Sequence, residues 1–273
     1  MGAVTRFPDG AGRVFAVGDS HVVKLVSAPS RDSFVNEREL LTKLEHRLEV
    51  ETPRLYATGE LDGWSYLVME QLPGRTLRTA WGEISPVARL KLGDRIGGLI
   101  AELHSVPLGG LMPVDWHAFL NEQVRTCVAR HEAEGVAEHW LAQIPAYLAS
   151  VSLPIERSVL LHTEIMREHL LVVPTDDGVR LVGLVDFERA MPGAPEYEFA
   201  AVGLFLAEGD HLFLRAVLCA YGVATGEQTA ALRRQFLAYS LLHRHGNLRW
   251  FLERLPVPSA STLEELADIW WRT

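Results

Sequence analysis

The chain has 273 residues, 48% hydrophobic and 22% charged, which is ordinary for a globular protein and enough for one large or two small domains with a buried core. A net charge of −9 argues against nucleic acid as the main partner and suits a cationic one. No apolar run approaches the ~18 residues of a membrane span, residues 1–12 lack the basic-then-apolar order of a secretory leader, and Cys127 and Cys219 have no metal-type spacing, so a cytoplasmic protein without a membrane partner is expected.

The predicted elements begin with strands. RVFAVG (13–18) and HVVKLV (21–26) are β-branched runs joined at Asp19-Ser20, preceded by a flexible turn carrying Gly10 and Gly12. Phe34, Leu40, Leu41, Leu44 and Leu48 sit near helical spacing and predict a helix over 34–48, with Asp32 or Ser33 as its cap. A second hairpin joins 53–61 to 64–72 through Asp62-Gly63, and Pro73-Gly74 ends the sheet-rich part. From about residue 85 the pattern is helical: Leu92, Ile96, Leu99, Ile100 and Leu103 share a face, and 117–149 holds one or two further helices. SVLLH, HLLVV and VRLVGLVDF, between 158 and 187, form a cluster of short strands with a turn at 175–178. Helix returns over 197–254, broken at Gly222 and Gly246. The order is α+β rather than alternating βαβ.

Three constellations could carry chemistry. The 26 basic residues are 23 Arg and only three Lys, so Lys24 inside the apolar strand HVVKLV stands out. A buried Lys needs a carboxylate, and Glu37 lies 13 residues on in the following helix; a Lys held by a Glu can still reach nucleotide phosphates. The plainer alternative is an edge-strand Lys facing solvent. In LLHTEIMREHLLVV (160–173), His162, Glu164, Arg167, Glu168 and His169 crowd a polar stretch between two strand-like runs, where a charged surface turn is the alternative. Asp186 follows the apolar Gly-Leu-Val, where an unpaired carboxylate is costly and a metal ion would relieve it; a helix-capping Asp is the alternative.

Together these motifs resemble the aminoglycoside phosphotransferase family, small-molecule kinases with the protein-kinase fold, over almost the whole chain. Lys24 and Glu37 match its strand Lys and helix Glu, and Leu67 to Leu72 followed by Pro73-Gly74 resembles its adenine-binding hinge. LIAELHSVPL (99–108) is similar to its Leu-x-x-Leu-His helix end, and HTEIMREH aligns without gaps on its catalytic loop His-Gly-Asp-x-x-x-x-Asn. Val185-Asp186-Phe187 matches its metal motif, and residues 193–200 stand where it has Gly-Asp-Pro-x-Tyr-Asp-Leu-Ala. The layout is similar to hygromycin phosphotransferases in particular. The catalytic loop departs from the family: Thr163 replaces Gly, Glu164 replaces the basic Asp, and His169 replaces the metal-binding Asn.

The resemblance implies a two-lobed protein-kinase-like fold, with a small antiparallel-sheet nucleotide lobe carrying one helix (residues 1–73) and a larger, mainly helical catalytic and substrate lobe (74–273), the nucleotide lying between them. It implies ATP or GTP, with Lys24 and Glu37 at the phosphates and the backbone of Glu70 and Leu72 at the base edge. Asp186 would hold Mg²⁺; His169, a nitrogen donor, would shift the preference toward Mn²⁺. Glu164 would accept the substrate hydroxyl proton, and Arg167 would neutralise developing charge. Thr163 in place of Gly is expected to favour a different local backbone. Glu196, Glu198, Glu208 and Asp210 are the candidates to hold a small, hydroxylated, cationic substrate. The alternatives are a catalytically degenerate kinase fold that binds nucleotide or a small molecule, and an enzyme redirected within secondary metabolism.

Overall fold

The computed structural model describes residues 3–7, 13–176 and 178–273. The turn expected around Gly10 and Gly12 lies outside the described residues, as does Asp177. The chain divides into two compact units. The first takes Met1–Ala88, Gly109–Met112 and Arg167–Ala190; the second takes Arg89–Leu108, Pro113–Met166 and Met191–Thr273.

Among the described residues ten strands run in chain order: β1 (Val4–Arg6), β2 (Arg13–Val17), β3 (His21–Ser27), β4 (Leu55–Leu61), β5 (Trp64–Glu70), β6 (Arg75–Thr76), β7 (Val159–Leu161), β8 (Leu170–Thr175), β9 (Gly178–Leu184) and β10 (Met191–Gly193). In the first unit β1 to β5 form an antiparallel sheet in the order β1-β2-β3-β5-β4. The short, fully exposed β1 gave no apolar signal. The β4–β5 hairpin closes as expected at Asp62 (φ 50°) and Gly63 (φ 80°), the two left-handed residues that a tight turn matching strand twist requires. Lys24 lies mid-sheet, paired with Val14 on one side and Leu67 on the other, and points with Val26 to the buried face.

The first helix spans Arg31–Leu44 rather than 34–48. It starts earlier because Ser30, not Asp32 or Ser33, sits at the cap, leaving Asp32 in the first turn, where a carboxylate complements the helix dipole. It stops at Leu44 because Glu45 leaves helical dihedrals and His46 turns to φ 57°. Phe34, Glu37, Leu41 and Leu44 form one buried stripe at i, i+3, i+4 spacing, so Glu37 sits on the apolar face.

The strand cluster expected over 158–187 does not form as one sheet. β8 and β9 join β6 in the first unit, whereas β7 pairs with β10 in the second. β10 is Met-Pro-Gly, a segment without strand propensity that only its partner reveals.

The second unit is mainly helical, with helices at Trp116–Ala133, His211–Tyr221, Ala230–Leu242, Leu248–Arg254 and Leu263–Trp270 beside most of Pro86–Ser105. Its core gathers Trp116, Leu161, Tyr197 and Tyr239. Gly203 lies under the ring of Trp271, where any Cβ would meet the indole at 1.9 Å, so only glycine fits. Gly222 ends its helix at φ 114°, the expected break. Among the described residues no helix is long and apolar enough to cross a membrane.

Candidate active site

In the first unit four charged groups meet. Lys24, only 6% exposed, places Nζ 2.8 Å from Glu37 Oε2, 2.7 Å from Asp186 Oδ1 and 3.0 Å from Glu188 Oε2. Each arrives for a local reason. β3 turns Lys24 inward, the apolar stripe carries Glu37, and Asp186, with a left-handed backbone (φ 71°), lies two residues beyond the end of β9, beside the fully buried Phe187. Asn36 Nδ2 donates to the carbonyl of Ala190 at 2.7 Å, tying the segment after Asp186 to the helix that bears Glu37. Lys24, Glu37 and Asp186 were legible in the sequence. Glu188 and Asn36 were not; Glu188 lies in the turn two residues beyond Asp186.

The electrostatics of this cluster are unbalanced. Burial alone would lower the Lys24 ammonium, but Glu37, Asp186 and Glu188 outweigh it and hold the group charged, above the usual lysine range. Burial pushes Glu37 up to about 7; Lys24 opposes this, while Asp186 and Glu188 add to it. With all groups ionised, three carboxylates surround one ammonium. The formal excess of two negative charges is the condition a divalent cation relieves. Asp186 and Glu188 keep side-chain exposures of 35% and 27%, so their oxygens are accessible, and carboxylate oxygen suits Mg²⁺. Asp186 Oδ2 also lies 3.4 Å from His169 Nε2, a donor that borderline metals accept more readily than Mg²⁺. The residues present therefore fit a divalent ion.

The hinge residues lie at the end of β5. The Glu70 amide donates to the Arg54 carbonyl at 2.8 Å and the Gln71 amide to that of Ser20 at 3.0 Å. Arg167 also belongs to the first unit. It is 5% exposed, and its guanidinium lies 3.7 Å from the centre of the Trp81 ring, a cation–π contact.

Glu164 belongs to the second unit, in a loop held from both sides. Thr163 has φ 72°: a β-branched residue occupies the left-handed conformation that glycine adopts freely. The surrounding contacts over-determine it. Glu198 accepts from the amide of His162 at 2.7 Å and from that of Thr163 at 2.9 Å, and His243 Nε2–H donates to the Thr163 carbonyl at 2.9 Å. His162, Thr163 and Glu198 are all at 0% exposure. Glu164 itself lies 3.2 Å, Oε1 to Nε2, from His245.

This geometry corrects the reading of Glu198 among the acidic candidates. Glu198 does not face substrate; it is a buried acceptor for loop amides, with His104 Nε2 at 3.5 Å as a third neighbour. Glu208 pairs with Arg254 at 3.4 Å, and Asp210 caps the His211–Tyr221 helix and faces Arg89 at 3.5 Å. Glu196 is half-buried, and burial pushes its carboxyl above the usual range.

The profile of a family described as the phosphotransferase enzyme family matches residues 3–234. Three solved structures share the fold. The GDP complex of wild-type aminoglycoside 2'-phosphotransferase-IIIa is 17% identical, with 97% of this chain and 92% of that one covered at a TM-score of 0.73. The streptomycin-ATP-APH(2")-IIa ternary complex is 20% identical, covering 93% and 90% at 0.65. The macrolide 2'-phosphotransferase MphH from Brachybacterium faecium, an apoenzyme, is 20% identical, covering 99% and 91% at 0.63. No curated protein sequence matches the chain.

Proposed function

The chain belongs to the phosphotransferase enzyme family, with a protein-kinase-like fold, and from that premise we propose that it is a cytoplasmic kinase moving the γ-phosphoryl group of ATP or GTP to a hydroxyl of a small molecule. The observation that carries the reading is the Lys24 cluster. A buried ammonium facing three carboxylates is poorly balanced as a structural ion pair and well suited to a site completed by metal and phosphate. Lys24, oriented by Glu37, would contact the phosphates. Asp186, with Glu188 or His169, would hold the divalent ion, which supplies charge neutralisation on the phosphate oxygens when bound. With the amides of Glu70 and Gln71 engaged by backbone carbonyls, the Leu72 amide and the Glu70 carbonyl would read the base edge. Glu164 would accept the proton of the attacking hydroxyl.

The acceptor is an aminoglycoside-like antibiotic or a related hydroxylated metabolite. Glu198 is fully buried on the His162 and Thr163 amides, so Glu196, Glu208 and Asp210 remain the carboxylate candidates for a cationic acceptor. The test is incubation with ATP or GTP and a panel that includes aminoglycosides and macrolides, read by product mass. A substrate-dependent gain of one phosphoryl group supports the proposal. Tight nucleotide binding without turnover on any acceptor supports the degenerate binding-protein reading instead.

A further inference from the structure

The turn between the Ala230–Leu242 and Leu248–Arg254 helices reaches the catalytic-loop segment twice. His243 is fixed first: it is 2% exposed, stacks on Tyr197 at 5.2 Å and 26°, and donates from Nε2 to the Thr163 carbonyl. Its other nitrogen, Nδ1, accepts from the His245 amide at 3.3 Å, which settles the tautomer and places the next-but-one residue. The turn is tight. The Gly246 amide donates to the His243 carbonyl at 2.7 Å, and a Cβ on Gly246 would come within 2.5 Å of the Ser240 carbonyl. His245 is thereby presented with Nε2 3.2 Å from Glu164 Oε1. Glu164 has one more methylene, and so one more torsion, than the Asp of the resembled loop, and that freedom must be restrained if one oxygen is to meet a hydroxyl proton in a fixed direction.

We propose that His245 is the positioning residue for Glu164: its Nε2–H holds Oε1, and this fixes Oε2 as the oxygen that accepts the substrate proton. The proposal rests on the reading of Glu164 as the proton acceptor. A carboxylate can only accept in this contact, so Nε2 carries the hydrogen whether the ring is neutral or charged. His245 has a side-chain exposure of 50% and can be replaced without opening the core, whereas His243, which clamps the backbone, cannot.

The experiment compares His245→Ala, His245→Gln, Glu164→Gln and the His245→Ala/Glu164→Gln double variant with the unmodified chain, using an acceptor found by screening. Expected are a fall in kcat of about tenfold or more in His245→Ala with nucleotide KM and Tm unchanged, and recovery of most of that loss in His245→Gln, whose amide N–H can replace Nε2–H. The double variant should be no slower than Glu164→Gln alone, because His245 acts only through Glu164. Full activity in His245→Ala, no recovery with Gln, or additive losses in the double variant would each overturn the proposal. A readout independent of turnover is the NMR titration of the His245 ring, whose midpoint should fall by about half a pH unit or more in Glu164→Gln as the neighbouring charge is removed. An unmoved midpoint overturns the pairing. If the unmodified chain phosphorylates no acceptor while this shift is present, the kinase reading fails and the pairing stands.

Discussion

The two units each bury a polar network, and the networks are balanced differently. In the first, one ammonium meets three carboxylates, and Glu37 is pushed up to about 7 by burial. In the second, the Glu198 carboxylate accepts from two backbone amides with His104 as a third neighbour, and burial holds His243 neutral, with its value lowered to about 3. The second network pairs each of these groups within the fold, as a scaffold should. The first carries excess charge that folding does not neutralise, and excess of that kind in an accessible cluster marks a place for a ligand of opposite charge. The difference separates residues that hold the site from residues that would act in it, and it moves Glu198 from the second class to the first.

The substitutions that break this contrast most sharply lie in the first network. Asp186→Asn should abolish turnover, a loss of about a thousandfold or more, because a divalent ion at the phosphates is worth several kcal/mol to the transition state. The Tm without nucleotide should stay level or rise, since the change removes one of three mutually repelling carboxylates; a large fall in Tm would instead make Asp186 structural. In the second unit, Glu164→Gln should cost about a hundredfold or more in kcat, the usual worth of a positioned proton acceptor. Lys24→Ala should raise nucleotide KM or lower kcat by about tenfold or more, the worth of a charge-assisted phosphate contact. It should also lower Tm by leaving Glu37 buried without its cation, and the loss should be smaller at pH 6 than at pH 8, because Glu37 accepts a proton near 7.

Much of this was visible in the chain. The strand Lys, the helical Glu on an apolar stripe and the Asp following a buried strand are chemical anomalies in otherwise regular patterns, so periodicity exposed them. Glu188 was missed because a second carboxylate two residues after Asp186 looks like an ordinary surface charge until Lys24 is placed beside it. Glu198 was misread because a buried carboxylate satisfied by backbone amides leaves no mark in sequence: its partners are the amides of residues 162 and 163, which every residue except proline could supply. The splitting of the 158–187 strands was hidden for a similar reason. Pairing with β10 is set by tertiary contacts, and Met-Pro-Gly gives no local sign of it. The left-handed Thr163 could not be foreseen, since intrinsic preference opposes it and tertiary contacts, those of Glu198 and His243 among them, retain it.

The smallest expected effect is in stability against pH, where the two networks act in opposite directions. His131, fully buried with Nε2 3.1 Å from the Leu241 carbonyl in the second unit, and His243 are held neutral, their values lowered from 6.5 to about 4 and about 3, chiefly by burial. The unfolded chain binds their protons more readily. Their contribution is therefore complete above about pH 6.5 and is lost as pH falls toward 4, with a slope of at most about 1.4 kcal/mol per pH unit for each ring. Glu37, raised from 4.5 to about 7, contributes in the other sense: its share is present below about 4.5 and is lost as pH rises through 7. Denaturant midpoints from pH 4 to 8 should show the acid-side loss reduced in His131→Gln, which removes one of these two lowered groups. A profile unchanged by that substitution would contradict the assignment of His131 as neutral and buried.

The account turns on the Lys24 cluster being completed by a nucleotide and a divalent ion, and the most direct measurement is thermal unfolding of the unmodified chain and of Asp186→Asn with ATP or GTP, each with and without Mg²⁺ or Mn²⁺. At about a hundredfold excess over Kd, a ligand that binds only the folded state adds about 2.7 kcal/mol. The account predicts a nucleotide-dependent rise in Tm that grows when the metal is added, and loss of the metal-dependent increment in Asp186→Asn. No rise with either nucleotide, or an increment of equal size in Asp186→Asn, would contradict it.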